Sequence, residues 1–99
     1  MTEHFNKLTP AEAERLAMLS EEAGEIVQIV GKILRHGYES FNPYDEKKIT
    51  NRWLLQTELN DLAAIVYGMQ KSADISVMVM DNYNRKDNWD RKLKYTHHQ

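Results

Sequence analysis

Five carboxylates at helical spacing carry the chemical signal of this chain. Segment 20–32 reads SEEAGEIVQIVGK and holds Glu21, Glu22 and Glu25, and segment 58–61 reads ELND and holds Glu58 and Asp61. On a helical projection with Glu22 at zero, Met18, Ile26, Ile29 and Ile33 fall within about 40° of it, so Glu22 sits inside the apolar face. Glu25 lies about 60° to one side and Glu21 about 100° to the same side. The same projection places Glu58 among Leu54, Leu62, Ile65 and Met69, with Asp61 about 60° away on the side that corresponds to Glu25. Two helices thus each offer an acid within an apolar face and a second acid three residues later.

A lone glutamate on a helix is ordinarily solvated, but the same arrangement repeated on two helices is a pattern. Buried carboxylates must be protonated, paired with bases or bound to cations, because each is costly to remove from water uncompensated. Neither apolar face places a Lys or Arg among these acids. All-oxygen donors select hard cations, which points to Mg²⁺, with Mn²⁺ as a substitute, and away from zinc or copper. Lys32 lies one further turn along the acidic edge, near the angle of Glu25, and Arg35 about 60° from Lys32. Both are candidates for phosphate contact, although a base near a helix C-terminus is also an ordinary dipole partner.

The elements that must hold these residues are legible as helices. Thr9-Pro10-Ala11-Glu12 reads as a capped start: Thr9 caps, Pro10 suits the first helical position and Glu12 completes a capping box. The pattern then runs to His36, with Gly37 as the stop. Residues 38–49, YESFNPYDEKKI, read as a loop around Asn42-Pro43. Thr50 can cap a second helix through about Lys71. Segment 75–83, ISVMVMDNY, is expected to be helical, since no partner strand exists, and the polar stretch from Asn84 is expected to be a short helix or an arm.

Length and composition set the frame. Ninety-nine residues make one domain, 1–99, near the size at which a single core holds by itself. The expected fold is all-α, with long antiparallel helices forming a four-helix core completed by oligomerisation, a homo-dimer or tetramer, and with acidic edges facing each other. The formal charge of -2 and the absence of long like-charge blocks argue against a nucleic-acid or membrane-surface binder. Residues 1–61 hold 11 of the 15 acidic residues but only 7 of the 13 basic ones, a local balance compatible with a cation site. The absence of cysteine excludes disulfides, thiolate metal sites and thiol catalysis, and fits a cytoplasmic location. The start, MTEHFNKL, does not read as an export signal, and the longest nearly apolar stretch, 62–69, is too short to span a bilayer.

The elements EEAGE, 21–25, and ELND, 58–61, resemble the EExxE and ExxD motifs of the all-α, MazG-like nucleoside triphosphate pyrophosphohydrolases, a group that also includes dimeric dUTPases and phosphoribosyl-ATP pyrophosphohydrolases. The resemblance covers roughly residues 10–70. It implies Mg²⁺-dependent cleavage of a nucleoside triphosphate between the α and β phosphates, giving a monophosphate and pyrophosphate. Carried over by position, Glu22, Glu25, Glu58 and Asp61 would hold the metals, two or three Mg²⁺ ions per site, Glu21 would orient or deprotonate the attacking water, and Lys32 matches a basic residue that commonly follows the first motif. The chain departs from simple members in the long spacer 26–57, whose loop could line the nucleotide pocket. The runs GKILRHGYES and KLKYTHHQ look like small phage-type members, some of which, the MazZ type, favour dGTP and GTP; this would place the protein in a host cytoplasm.

Two other classes compete. A di-iron carboxylate bundle normally needs Glu-x-x-His on two helices, and the positions three after Glu22 and Glu58 are Glu25 and Asp61. A non-catalytic helical interaction protein would use the acids against a partner's basic surface. Elsewhere, Met18, Met69, Met78 and Met80 are expected to fill the core, and Trp53, which could stack on a base, is expected to pack. Asn51 and Arg52 could reach a nucleotide, but helix-start residues are usually capping and solvated, and His36 is expected to be a surface residue. His97-His98 is too short for a metal site. Arg85, Lys86, Arg91, Lys92 and Lys94 are interrupted by Asp87 and Asp90, which suits a solvated or subunit-bridging tail rather than a nucleic-acid footprint.

Overall fold

Thr9, in extended conformation, starts the first helix, α1 (Pro10–His36), in a computed structural model that describes residues 5–76 and 82–99. The Thr9 hydroxyl accepts from the Glu12 N–H at 3.1 Å while the Glu12 carboxylate accepts from the Thr9 N–H at 2.8 Å, which is the capping box expected from the sequence. At the other end Gly37 takes φ +89°, a backbone state costly for any residue with a Cβ, and its N–H closes the last turn on the Ile33 carbonyl. The second helix, α2 (Asn51–Lys71), is capped by Thr50, whose hydroxyl accepts from the Trp53 N–H. The third, α3 (Asn82–Leu93), carries an exposed Lys86–Asp90 pair at 3.2 Å along its own surface. The molecule is all-helical among the described residues. Of the segment expected to be helical at 75–83, residues 77–81 lie outside the described residues, 75–76 are non-helical, and 82–83 open α3.

Helices α1 and α2 form an antiparallel hairpin. Contacts joining them pair Gly37 with Asn51, Glu22 with Glu58, and Arg15 with Asp74 just beyond α2, so positions descend along one helix as they ascend along the other. The loop that closes the hairpin is built onto the start of α2. Asn51 and Arg52 donate their backbone N–H groups to the carbonyls of Ser40 and Tyr38, at 2.9 and 2.8 Å, and Phe41 bridges Thr50. The Arg52 guanidinium stacks on Tyr38, 4.3 Å from the ring centroid, and meets Glu39 at 2.6 Å. Arg52 is therefore a brace for the loop rather than a free helix-start residue.

At the opposite end α2 stops in a left-handed turn. Ala73 takes φ 63°, its N–H bonding to the Gln70 carbonyl and the Asp74 N–H to that of Met69. This is the reciprocal bonding of a Schellman stop, here with alanine in the place usually held by glycine. It delivers Asp74 to Arg15, and the two form a bidentate pair at 2.6 and 2.9 Å.

The hairpin has little interior of its own. Met69, 5% exposed, is the one fully buried hydrophobic residue among those described. Leu54, Leu62, Ile65, Ile26, Ile29 and Ile33 are half-buried between the helices, as their spacing requires. A second stripe runs along α1 through Leu16, Val27, Val30 and Leu34 and is exposed, Leu34 at 81%. Met18 and Trp53, expected to pack, are also exposed in the single chain. The radius of gyration, 17.5 Å, exceeds the roughly 13 Å of a compact domain of this length. Two paired helices enclose a seam, and a seam cannot bury residues on both sides of each helix.

Candidate functional site

The middle of the hairpin brings acids together. Glu22 from α1 and Glu58 and Asp61 from α2 each present a carboxylate oxygen such that all three atoms lie within 4.8 Å of one another. Glu22 and Glu58 are half-buried and Asp61 is exposed, so the cluster sits at the rim of the seam. Each reaches this point because its neighbours at helical spacing are apolar and turn inward, carrying the acid with them. Glu22 Oε1 and Glu58 Oε2 are closed off from water and have no hydrogen-bond partner. Buried carboxylate oxygens without donors are costly, and a bound cation is one of the few ways to satisfy them.

Glu25 belongs to the same electrostatic group although it is not one of the three convergent acids. Its carboxyl pKa is raised, first by the hydrogen bond it shares with Glu58 and next by Glu58's charge, with Glu21 and Asp61 adding smaller repulsion. Glu58 is raised as well, chiefly through the hydrogen bond it makes with Glu22, while its bond to Glu25 acts in the opposite direction. A hydrogen bond between two carboxyls exists only while one of them holds a proton. Glu58 therefore sits among carboxylates whose charge disfavours its own ionisation.

The other candidate residues spread along the hairpin. Glu21 is exposed on α1, outside the convergent cluster, and touches it only through its field at Glu25. Arg35 is exposed, with a guanidinium nitrogen lying along its own helix near Gly31. Lys32 is exposed and helps line a cavity of about 380 Å³ with His36, Ser40, Phe41, Asn42 and Asn51. Asn51 is a residue that sequence reasoning placed wrongly. Only 5% exposed, it sits beneath the loop and donates from its side-chain amide to the Gly37 carbonyl at 3.2 Å. The sequence signal for this was the glycine stop of α1 lying opposite the first residue of α2, whose backbone carbonyl needs a donor once the loop folds back.

On α2 the cavity is in register with the convergent acids, and on α1 it is in register with Glu25 beside them, whereas Glu22 lies ten residues and about 80° from Lys32. Lys32 follows Glu25 by seven residues, and Asn51 precedes Glu58 by seven. Seven residues advance a helix about 10 Å and return it to within about 20° of the same face. The loop cavity therefore lies two turns from the acids along the same side of the hairpin.

Compared with models of protein families, with curated proteins and with solved structures, the chain matches none. Among the described residues no helix is long and apolar enough to cross a membrane.

Proposed function

We propose that this protein is a Mg²⁺-dependent nucleoside triphosphate diphosphohydrolase, cleaving a ribo- or deoxynucleoside triphosphate between the α and β phosphates to the monophosphate and pyrophosphate. The observation that carries this reading is the convergence of Glu22, Glu58 and Asp61 from two helices, with two buried carboxylate oxygens lacking any donor. Oxygen donors without nitrogen or sulfur match a hard cation. Magnesium supplies charge neutralisation on phosphate, a lowered pKa for coordinated water and alignment of an in-line displacement. In this reading Glu22, Glu58 and Asp61 hold the cation with Glu25 beside them. Glu21, exposed at the edge of the cluster, orients the attacking water. Lys32, two turns toward the loop, attracts the phosphate chain, and Arg35 adds positive potential near the end of α1.

The working form is a homo-oligomer, a dimer or tetramer, in which hairpins complete a four-helix core. Support comes from the exposed stripe of Leu16, Val27, Val30 and Leu34, together with Trp53 and Tyr67 on α2. Exposed apolar stripes of this kind mark interaction faces. The same exposure favours the rival reading of a non-catalytic interaction protein. A di-iron bundle is disfavoured, because among the described residues no histidine joins the three convergent acids.

The test is pyrophosphate release from the eight common ribo- and deoxynucleoside triphosphates with Mg²⁺, with Mn²⁺ and with chelator. Metal-dependent release with stoichiometric monophosphate is expected, and (d)GTP is expected to rank among the better substrates. No release from any triphosphate with either metal would overturn the reading and leave the interaction protein standing.

A further inference from the structure

The cavity beside Lys32 is lined by side chains of a different kind from the acids two turns away. Its lining includes an aromatic ring (Phe41), a carboxamide (Asn51), an imidazole (His36) and an ammonium group (Lys32), and no carboxylate. About 380 Å³ falls within the roughly 300–1,000 Å³ typical of small-molecule pockets. It is also a built site. The Phe41–Thr50 bridge, the Asn51 bond to Gly37 and the Tyr38–Arg52–Glu39 brace fix the loop to both helices. Of the carboxamide groups of Asn51, one N–H is used on Gly37, which leaves a second N–H and the oxygen.

We propose that this pocket binds the base of the nucleotide, with Phe41 as the stacking face and the Asn51 carboxamide reading the base edge. This rests on the reading of the acidic cluster as the metal and phosphate end of the same site. A nucleobase is flat, uncharged and edged with donors and acceptors, which matches a ring plus a carboxamide held still by burial. The phosphate chain then runs from the pocket past Lys32 toward the acids, along the face that the seven-residue offsets share. A pocket without carboxylates at the base end and a carboxylate cluster at the cation end divide one elongated ligand into two recognition problems. Phe41 and Asn51 are thereby the residues that decide which base is accepted.

The test uses the full chain in chelator, followed by amide NMR during titration with dAMP, dGMP, dCMP, TMP and, separately, inorganic phosphate. At least one monophosphate is expected to shift the Asn51 side-chain amide and the backbone amides of 38–51, and inorganic phosphate to leave the Asn51 amide in place. Phe41→Ala, which keeps the backbone bridge to Thr50, should weaken that monophosphate on the order of tenfold, the scale of losing one aromatic stack, and Phe41→Trp should restore it. Unchanged binding by Phe41→Ala, or silence of these amides with all four monophosphates, overturns the proposal. Mn²⁺ titration of the same samples separates the two ends. Metal bound at Glu58 with a silent pocket defeats the base assignment alone. A responding pocket with no metal bound supports the base assignment and defeats the phosphohydrolase reading.

Discussion

Charged groups meet across the α1–α2 seam in two places, and they are resolved in opposite ways. At the open end of the hairpin Arg15 and Asp74 pair through two hydrogen bonds, and the Arg15 guanidinium holds the Asp74 carboxyl below its ordinary range. In the middle, Glu22, Glu58 and Asp61 converge with Glu25 alongside and no base among them from the described residues, and Glu25 and Glu58 are pushed up. Both places are partly screened from water, so burial does not separate them. What separates them is whether the described residues supply the opposite charge. The open end is an internally neutral clasp, whereas the middle gathers like charges that raise the carboxyl pKa of Glu25 and Glu58.

The comparison breaks most visibly at Glu58. Glu58→Gln keeps the shape and removes one charge, so turnover in the presence of Mg²⁺ should fall at least about 100-fold, since even residues one step removed from a metal commonly cost 10- to 100-fold. Its melting temperature without metal should hold or rise, because the repulsion with Glu22 and Asp61 is relieved. Wild-type kcat in this variant would erase the distinction between the two places.

The pH dependence of stability without metal sharpens the contrast. Glu25 and Glu58 titrate above the ordinary 4.5, so the folded chain holds more protons than the unfolded one in that window, and stability falls as pH rises through it. Asp74 titrates below the ordinary 3.8, so its contribution is present above that value and is lost as pH falls through the lowered one. Melting curves should therefore show two limbs, one falling as pH rises and one falling as pH drops. Glu58→Gln should flatten the upper limb and Asp74→Asn the lower. Mg²⁺ should flatten the upper limb in the wild type only. A profile unmoved by Glu58→Gln would mean that the middle acids are simply solvated.

The smallest effect concerns the turn that delivers Asp74. Ala73 holds a left-handed conformation that glycine adopts without a Cβ penalty. Ala73→Gly should raise stability by about 0.5–1 kcal/mol, less what the more flexible unfolded chain takes back. A loss of stability in thermal melts would show that the turn is held by something other than its own backbone bonds.

How much of this was legible in the sequence follows from which contacts are local. Both main helices were readable to the residue, because Thr9, Glu12, Gly37 and Thr50 act within one turn of the ends they define. The inward facing of Glu22 and Glu58 was readable as well, since helical periodicity alone fixes it. Burial of Asn51 was not, because it depends on residues 37–41 returning over the start of α2, a tertiary event with no periodic signature. The Arg15–Asp74 clasp joins residues 59 positions apart and depends on an unusual alanine turn. The exposure of Met18 and Trp53 follows from there being only two long helices to share among several apolar stripes.

The matching seven-residue offsets on α1 and α2 also constrain how such a gene can change length. One codon gained between Glu25 and Lys32, or between Asn51 and Glu58, would swing the loop cavity about 100° around the helix relative to the acids and uncouple the two. Codons gained or lost among residues 42–48 leave both helical phases untouched and only reshape the cavity wall. Length change is thus tolerated in one short stretch, while the helices on either side keep the cavity and the acids in place through a shared phase rather than through any single contact.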